Sequence, residues 1–328
     1  MISLNDYLYQ GDTVLKIIHN YARDLKRHGK ENKSPVEQKH YDFLQEMSDL
    51  LEHNDFLTSQ SQRLRDFYLY MTERYPSLAF TFKGRIKSMV RAEEKYNRYI
   101  LDTVKRLYEK NGQVPGEDEI AEEIPELRDL IAYRIIVSMP VCHLKEGEDP
   151  KEKELECLYD IAEKLPGFLE KKQFIPAGIN EDQVRPSSRL SKDTAGLFKD
   201  YIMFPKKYGY QSLHIVLQDE LSGSNIEVQL RTKDMDDLAE IGKANHGRYE
   251  KSQEKTKEKR LFREGLCTAY DNAFARLQAL EELELADVSV NMFTAVDNHL
   301  MNDGCGFYRG RLILPYEHLS RFQNDNIV

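Results

Sequence analysis

The sequence predicts an α+β protein: a core of mixed strands and helices, readable also as α/β, flanked by helical extensions. Three observations carry this. Strand-like runs with alternating or β-branched residues (SLAFTFKG, DLIAYRIIVSM, IEVQLRT) are confined to the middle of the chain. Helical periodicity fills residues 12 to 75 and returns after Lys233. The length of 328 residues suits two domains or one enlarged domain, and buries a core without help from disulfides or a structural metal.

In order along the chain, Ser34-Pro35-Val36-Glu37 has the form of a capping box with Pro at the first helical position. Tyr41, Phe43, Leu44, Met47, Leu50 and Leu51 then recur at helical spacing. A second helix spans Ser59 to Arg74 and stops at Tyr75-Pro76. His40 and Asp42 lack the further ligands of a metal-dependent hydrolase, so residues 1 to 75 read as a helical platform. SLAFTFKG reads as a strand ending at Gly84, followed by a basic amphipathic helix from Arg85 to Lys110 that stops at Asn111-Gly112. DLIAYRIIVSM is a buried strand, 145 to 165 a charged helix, and 166 to 197 irregular. Lys199 to Phe204, Gln211 to Gln218 and Ile226 to Leu230 are β-like, and Lys233 to Tyr249 is helical. KSQEKTKEKR is a solvated charge run leading into a helix over 261 to 285. The tail from Asp287 reads as a helix, a Gly304-Cys305-Gly306 turn and a strand from Arg311 to Leu314.

Composition narrows the function classes. No apolar run approaches the ~20 residues that span a bilayer, and MISLNDYLYQGD lacks the pattern of a secretory signal, so the expectation is a cytoplasmic protein with no membrane association. Cys142, Cys157, Cys267 and Cys305 show no paired spacing, which disfavours a zinc site and predicts reduced thiols. A net charge of −9 disfavours a protein that coats nucleic acid, and makes an RNA acceptor unlike this chain without ruling out a local basic site. There is no GxxxxGK[ST] loop, GxGxxG, HExxH or GxSxG.

Four segments set polar residues beside buried strands. Lys83-Gly84-Arg85-Ile86-Lys87-Ser88 sits at a strand-to-helix junction, where a helix N-terminus with Arg85 and Lys87 favours polyphosphate. Asp129 opens an apolar strand, as a turn cap or a metal ligand. KDYIMFPKKYGYQSLH brings Lys199, Lys206, Lys207, Tyr208, Tyr210, Gln211, Ser212 and His214. IEVQLRT places Glu227, Gln229 and Arg231 on one strand face, opposite Ile226, Val228 and Leu230. Any one of these alone is compatible with a half-solvated strand. Together, two carboxylates for Mg²⁺, Lys and Arg for phosphates and a Tyr face for a base are what phosphoryl or nucleotidyl transfer requires.

KGRIKS, DLIAYRI, FKDYIMFPKKYGYQSLH, and IEVQLRT followed by AEIGKANH, resemble in order and form the synthetase domain of RelA/SpoT-type enzymes, over about residues 78 to 250. The resemblance implies a nucleotidyltransferase-like mixed β-sheet flanked by helices. It also implies transfer of the β,γ-pyrophosphate of ATP to the ribose 3′-hydroxyl of GDP or GTP, giving the alarmone (p)ppGpp and AMP. Carried over by position, Arg85, Lys87 and Ser88 fall on the ATP side, with Arg85 near the adenine and Lys87 near the phosphates. Asp129 matches the acidic Mg²⁺ ligand, and Lys199 and Lys206 match phosphate-holding lysines. Tyr210 matches the tyrosine that stacks on guanine, with His214, Gln229 and Arg231 on the acceptor side. Glu227 matches the glutamate that supports Mg²⁺ and takes the 3′-hydroxyl proton.

The chain departs from the family where Tyr208 replaces Asn, where Met235-Asp236 replaces Met-His, and at His246-Gly247. The connection from 140 to 195 reads as an insertion. The expected organisation is a helical segment over 1–75, a synthetase domain over 76–250 and a mainly helical extension over 251–328, with neither a hydrolase domain nor a regulatory tail. The flanks could serve a homo-oligomer, autoinhibition or sensing. Two alternatives keep the fold: a toxin-like relative whose acceptor is an adenine nucleotide or the tRNA 3′-end, motivated by Tyr208, Arg185, Arg189 and Lys192, and a degenerate module that binds nucleotides without turnover.

Overall fold

The computed structural model describes residues 2–8, 14–53, 55–177, 185, 187–206, 209–240, 266–281 and 292–297. Its centre is a seven-stranded mixed sheet in the order β3-β5-β6-β2-β1-β7, with β4 paired to β5. The strands are β1 (Ala79–Ile86), β2 (Ile131–Ser138), β3 (Phe174–Pro176), β4 (Phe198–Asp200), β5 (Leu213–Asp219), β6 (Asn225–Thr232) and β7 (Met292–Asp297). Only the β2–β6 pairing is parallel among the described strands. The apolar, β-branched run IAYRIIVS is buried at every position and lies between β1 and β6, as a strand covered on both faces must.

Among the described residues, four helices precede the sheet: α1 (Asn5–Leu8), α2 (Val14–Asn32), α3 (Pro35–Glu52) and α4 (Asp55–Arg74). Ser34 caps α3 by accepting from the Glu37 N–H at 3.3 Å, with Pro35 at the first position, as the sequence predicts. The reciprocal half of the capping box is not made. Ser34 N–H donates instead to the Gly29 carbonyl at 2.9 Å, and Glu37 accepts from the buried Arg276 Nη2 at 2.6 and 2.8 Å. α4 lies on one face of the sheet, where Gln60 meets Tyr133 at 3.3 Å and Arg63 pairs with Asp219 at 2.7 Å. It begins before the expected Ser59 and ends, as expected, at Arg74.

The helix expected from Arg85 starts later. β1 keeps its register with β2 through Arg85↔Ala132 and Ile86↔Ile131, and sheet hydrogen bonding overrides helical periodicity there. Ser88 then caps α5 (Met89–Asn111) by accepting from Arg91 N–H, and Gly112 ends it with φ +68°, a left-handed conformation that glycine adopts freely. After α6 (Glu117–Glu123), Asp149 caps α7 (Pro150–Glu170), with Pro150 at its first position. Thus part of the segment expected to be irregular is helix, and β3 and α8 (Lys192–Ala195) follow. β4 is shorter than expected. The Asp200 carboxylate accepts from the Ile202 and Met203 N–H groups at 2.9 Å each and turns the chain.

α9 (Lys233–Glu240) follows β6, and α10 (Thr268–Glu281) packs on α5. The tail departs from its helical expectation at β7, which pairs with β1 from Thr81↔Asp297 to Arg85↔Met292. KSQEKTKEKR, Gly304-Cys305-Gly306 and Arg311 to Leu314 lie outside the described residues. Cys157 and Cys267 are free thiols, whereas Cys142 is disulfide-bonded, so reduced thiols throughout do not hold. Among the described residues no helix is long and apolar enough to cross a membrane.

A polar knot ties the helices together. Glu93 of α5, 1% exposed, accepts from Tyr21 Oη at 2.7 Å and from the Asn97 amide at 2.8 Å, and contacts His40 Nε2 at 2.8 Å. Arg276 of α10 reaches His40 Nδ1 at 3.3 Å and the Ile2 carbonyl at 2.9 Å. His40 is therefore a structural residue of the platform, as the sequence suggested.

Candidate active site

Cross-strand register assembles the site on the sheet face opposite α4. One row runs Lys199–His214–Gln229–Arg134–Lys83 across β4, β5, β6, β2 and β1. The next row sets Arg85 beside Ala132 and Ala132 beside Glu227. Alternation along β6 keeps Glu227, Gln229 and Arg231 on this face, while Val228 and Leu230 join the core.

At the open end of β2, Asp129 accepts from Lys87 Nζ at 2.8 Å and from Lys95 Nζ at 2.5 Å. Burial alone would raise the Asp129 pKa, but the two ammonium groups outweigh it and hold the carboxyl below its usual range, ionised. Its Oδ1 is buried with no hydrogen-bond partner, while Oδ2 takes both lysines. Lys95 is the residue the sequence reading missed. It sits two turns into α5, and only the packing of α5 beside the end of β2 shows that it shares Asp129 with Lys87.

Glu227 is held from two sides. His214 Nδ1 lies 2.9 Å from Glu227 Oε1, and the Gln229 amide donates to Oε2 at 2.5 Å. Burial pushes the His214 imidazole below its ordinary pKa, so the ring is neutral and Nδ1–H donates to the carboxylate. Burial opposes ionisation of Glu227 as well, but these hydrogen bonds and the Lys95 charge keep its pKa well below the usual range. His214 Nε2 then accepts from Tyr210 Oη at 2.9 Å, and Tyr210 Oη accepts from Arg231 Nη2 at 2.5 Å.

Lys206 projects over the Tyr201 ring at 3.9 Å and the Tyr210 ring at 5.7 Å. The side chain is exposed overall, yet its ammonium is desolvated against the rings. That lowers its pKa, with Glu227 opposing and Lys199 and Lys95 adding to the effect. The Lys206 ammonium thus feels the charges of Lys95, Lys199, Glu227 and Asp129. Tyr210 is only 6% exposed, so its ring offers no open stacking face while Lys206 lies over it. Tyr201, half-buried and beneath the same ammonium, is the more accessible ring. Ser88 serves as the α5 cap, and Arg85 follows Gly84 on β1. Lys207, Tyr208 and His246-Gly247 lie outside the described residues.

The donor set fits Mg²⁺. Asp129 and Glu227 influence each other's charge, and Asp129 has a buried oxygen lacking a partner; Mg²⁺ habitually takes one or two carboxylates and completes its shell with phosphates and water. No group of three His, Cys, Asp or Glu side chains among the described residues would hold an ion unaided. A separate cavity of about 520 Å³ is lined by Asp42, Glu46 and Asp49 of α3 together with Leu130 and Asn225, and includes none of these site residues. Its acidic wall repels a polyphosphate.

Residues 182–254 match the family model described as the region found in RelA/SpoT proteins. The match covers that stretch alone. It spans β4, β5, β6 and α9, and so contains Lys199, Lys206, Tyr210, His214, Glu227, Gln229 and Arg231 but not Arg85, Lys87, Ser88 or Asp129. The bifunctional (p)ppGpp synthase/hydrolase SpoT of Escherichia coli is 37% identical over 115 residues, covering 35% of this chain and 15% of that protein. The GTP pyrophosphokinase of Haemophilus influenzae is 39% identical over 83 residues, 25% of this chain and 10% of that protein. The chain thus matches only a small part of the length of these curated relatives. Small alarmone synthetase 1 of Bacillus subtilis, solved with its product pppGpp, is 20% identical with a TM-score of 0.33, covering 72% of this chain and 89% of that one. A likeness of that degree fixes no residue of the site.

Proposed function

We propose that the chain transfers the β,γ-pyrophosphate of ATP, with Mg²⁺, to the ribose 3′-hydroxyl of GDP or GTP, releasing AMP. The observation that carries this is the placement of two ionised carboxylates, Asp129 in the turn just before β2 and Glu227 on the parallel neighbour β6, with Lys87 and Lys95 on Asp129 and Lys199 and Lys206 on the acceptor side. The RelA/SpoT region and the names of its relatives supply the substrates of the reading.

The roles follow from the chemistry. Lys87 and Lys95, with Arg85 on the neighbouring strand, would grip the ATP phosphates beside the Ser88-capped start of α5. Lys199 and Lys206 would neutralise charge from the acceptor side. Glu227 would accept the proton as the 3′-oxygen attacks the β-phosphorus of ATP. The bond from that phosphorus to the oxygen bridging the α- and β-phosphates breaks, and AMP leaves with the bridging oxygen. Mg²⁺ held by Asp129 and Glu227 would offset charge on the transferring group. His214 and Gln229 keep Glu227 ionised and aimed, which a base needs before it meets its proton. Tyr201 or Tyr210 would stack on the base once Lys206 turns to phosphate.

The test is product analysis by chromatography. Purified chain with ATP and Mg²⁺ is offered GDP, GTP, adenine nucleotides or tRNA in parallel. AMP formed together with a pyrophosphorylated guanine nucleotide supports the reading. A wild-type rate no higher than that of an Asp129→Ala, Glu227→Gln double variant sinks it, and γ-label appearing only in tRNA or adenine nucleotides moves the acceptor.

A further inference from the structure

Met235-Asp236 departs from the family pattern, and the structure gives Asp236 a definite task. The residue lies in the first turn of α9 and is 2% exposed. Three cations of the site face converge on it: Lys83 of β1 at 3.1 Å, Arg231 of β6 at 3.2 Å and Arg134 of β2 at 4.0 Å. Buried charges are tolerated when paired, and one carboxylate here answers cations from three strands.

Of the three, Arg231 leads to the proposed base. Its Nη1 takes Asp236 at 3.2 Å, and its Nε points to Ser212 Oγ at 3.4 Å. With the planar guanidinium so fixed, Nη2 is left to donate to Tyr210 Oη at 2.5 Å and to Gln229 Oε1 at 2.8 Å. Both acceptors lead to the same carboxylate, Tyr210 through His214 to Glu227 Oε1 and Gln229 directly to Oε2. Arg231, Tyr210, His214, Glu227 and Gln229 therefore close a ring of hydrogen bonds, and Asp236 holds that ring in place from outside.

We propose that Asp236 is a positioning residue that orients Glu227 through Arg231, acting on the ring from below without touching substrate. The catalytic consequence rests on Glu227 being the base proposed above, while the geometric consequence does not. An Asn at 236 keeps the shape but surrenders the charge that anchors Nη1. The fork can then rotate, and Tyr210 and Gln229 lose their shared donor. A Glu restores the charge.

The experiment compares Asp236→Asn, Asp236→Glu and Arg231→Lys in the full chain. Kinetics are read with ATP, Mg²⁺ and the preferred acceptor, and the His214 ring is read by NMR of ¹⁵N-histidine-labelled protein at one pH, assigned with His214→Asn. Displacing a partner that orients a reacting group costs roughly 10–100-fold. Asp236→Asn is expected to lose that much kcat with the KM for ATP unchanged and to weaken the slowly exchanging His214 Nδ1–H signal, and Asp236→Glu to restore both. Arg231→Lys keeps a charge for Asp236 but not the fork, so it should reproduce the loss even where Asp236→Asn fails to fold. Wild-type kcat and an unchanged His214 signal in Asp236→Asn, or in Arg231→Lys where Asp236→Asn does not fold, overturn the proposal. If the wild type turns over no acceptor, the proposed function fails and the His214 signal alone decides the positioning role.

Discussion

Arg276 of α10 grips both carboxylate oxygens of Glu37 in α3 through a single guanidinium nitrogen, at 2.6 and 2.8 Å. Both side chains are almost fully buried, at 2% and 4% side-chain exposure. Removing one partner of such a pair leaves the other charged and unpaired. Arg276→Met should therefore cost about 3–5 kcal/mol in chemical denaturation. The Arg276→Met, Glu37→Gln double variant should cost less than the single one, and a larger loss in the double would contradict the pairing account.

Glu227→Gln should lower kcat by roughly 10²–10⁴-fold, the range for loss of a general base. The depressed pKa of Glu227 means its charge also stabilises the fold at neutral pH, so the melting temperature should fall modestly, and kcat is read well below it where the variant is fully folded. EDTA should abolish turnover and excess Mg²⁺ restore it. The sheet is held by apolar side chains, with no proposed Mg²⁺ ligand among them, so the circular dichroism spectrum should not change on chelation.

Lys95→Met should raise the KM for ATP more than it lowers kcat. A hydrogen bond to a charged group is worth about 1.5–3 kcal/mol, which corresponds to roughly 10–100-fold. Lys95→Arg should recover part of it. Steady-state kinetics with ATP varied at saturating acceptor decide the point, and an unchanged KM would remove Lys95 from the donor side.

Asp219 ties the β5–β6 hairpin to α4, accepting from Arg63, Gln60 and Ser222. Burial pushes its pKa up, but those donors outweigh it and hold the carboxyl below its unfolded value of about 3.9. A depressed folded pKa means that the contribution is complete above roughly pH 4 and is lost as pH falls through the folded value. Asp219→Asn should thus destabilise by about 1.5–3 kcal/mol at neutral pH, with the difference shrinking below pH 4. Urea titrations at pH 7 and pH 3 measure this, and a pH-independent difference would refute it.

The shared polar face of β6 is legible in the sequence because it lies within one strand. Period-two alternation in IEVQLRT puts Glu227, Gln229 and Arg231 on a common face, and β6 has that face. Lys95 was not readable, since its meeting with Asp129 depends on where the end of β2 falls against α5. Basic, amphipathic periodicity runs unbroken past Arg85 and predicts helix there, whereas the ladder to β2 extends the strand instead. Asp236 could be seen only as a departure from a pattern. Its partners come from β1, β2 and β6, three strands that sequence spacing alone does not bring together.

The parallel pairing of β2 with β6 also sets an order of events during synthesis. Asp129 leaves the ribosome early, while Glu227 follows only after α7, β3, α8, β4 and β5 have been made. Closing so long a loop is slow, and until it closes the apolar run of β2 lacks one of its neighbours. A nascent chain halted before β6 would hold the proposed phosphate grip of Lys87, Lys95 and Asp129 without the base. The proposed chemistry becomes available only when the acceptor half has folded onto it.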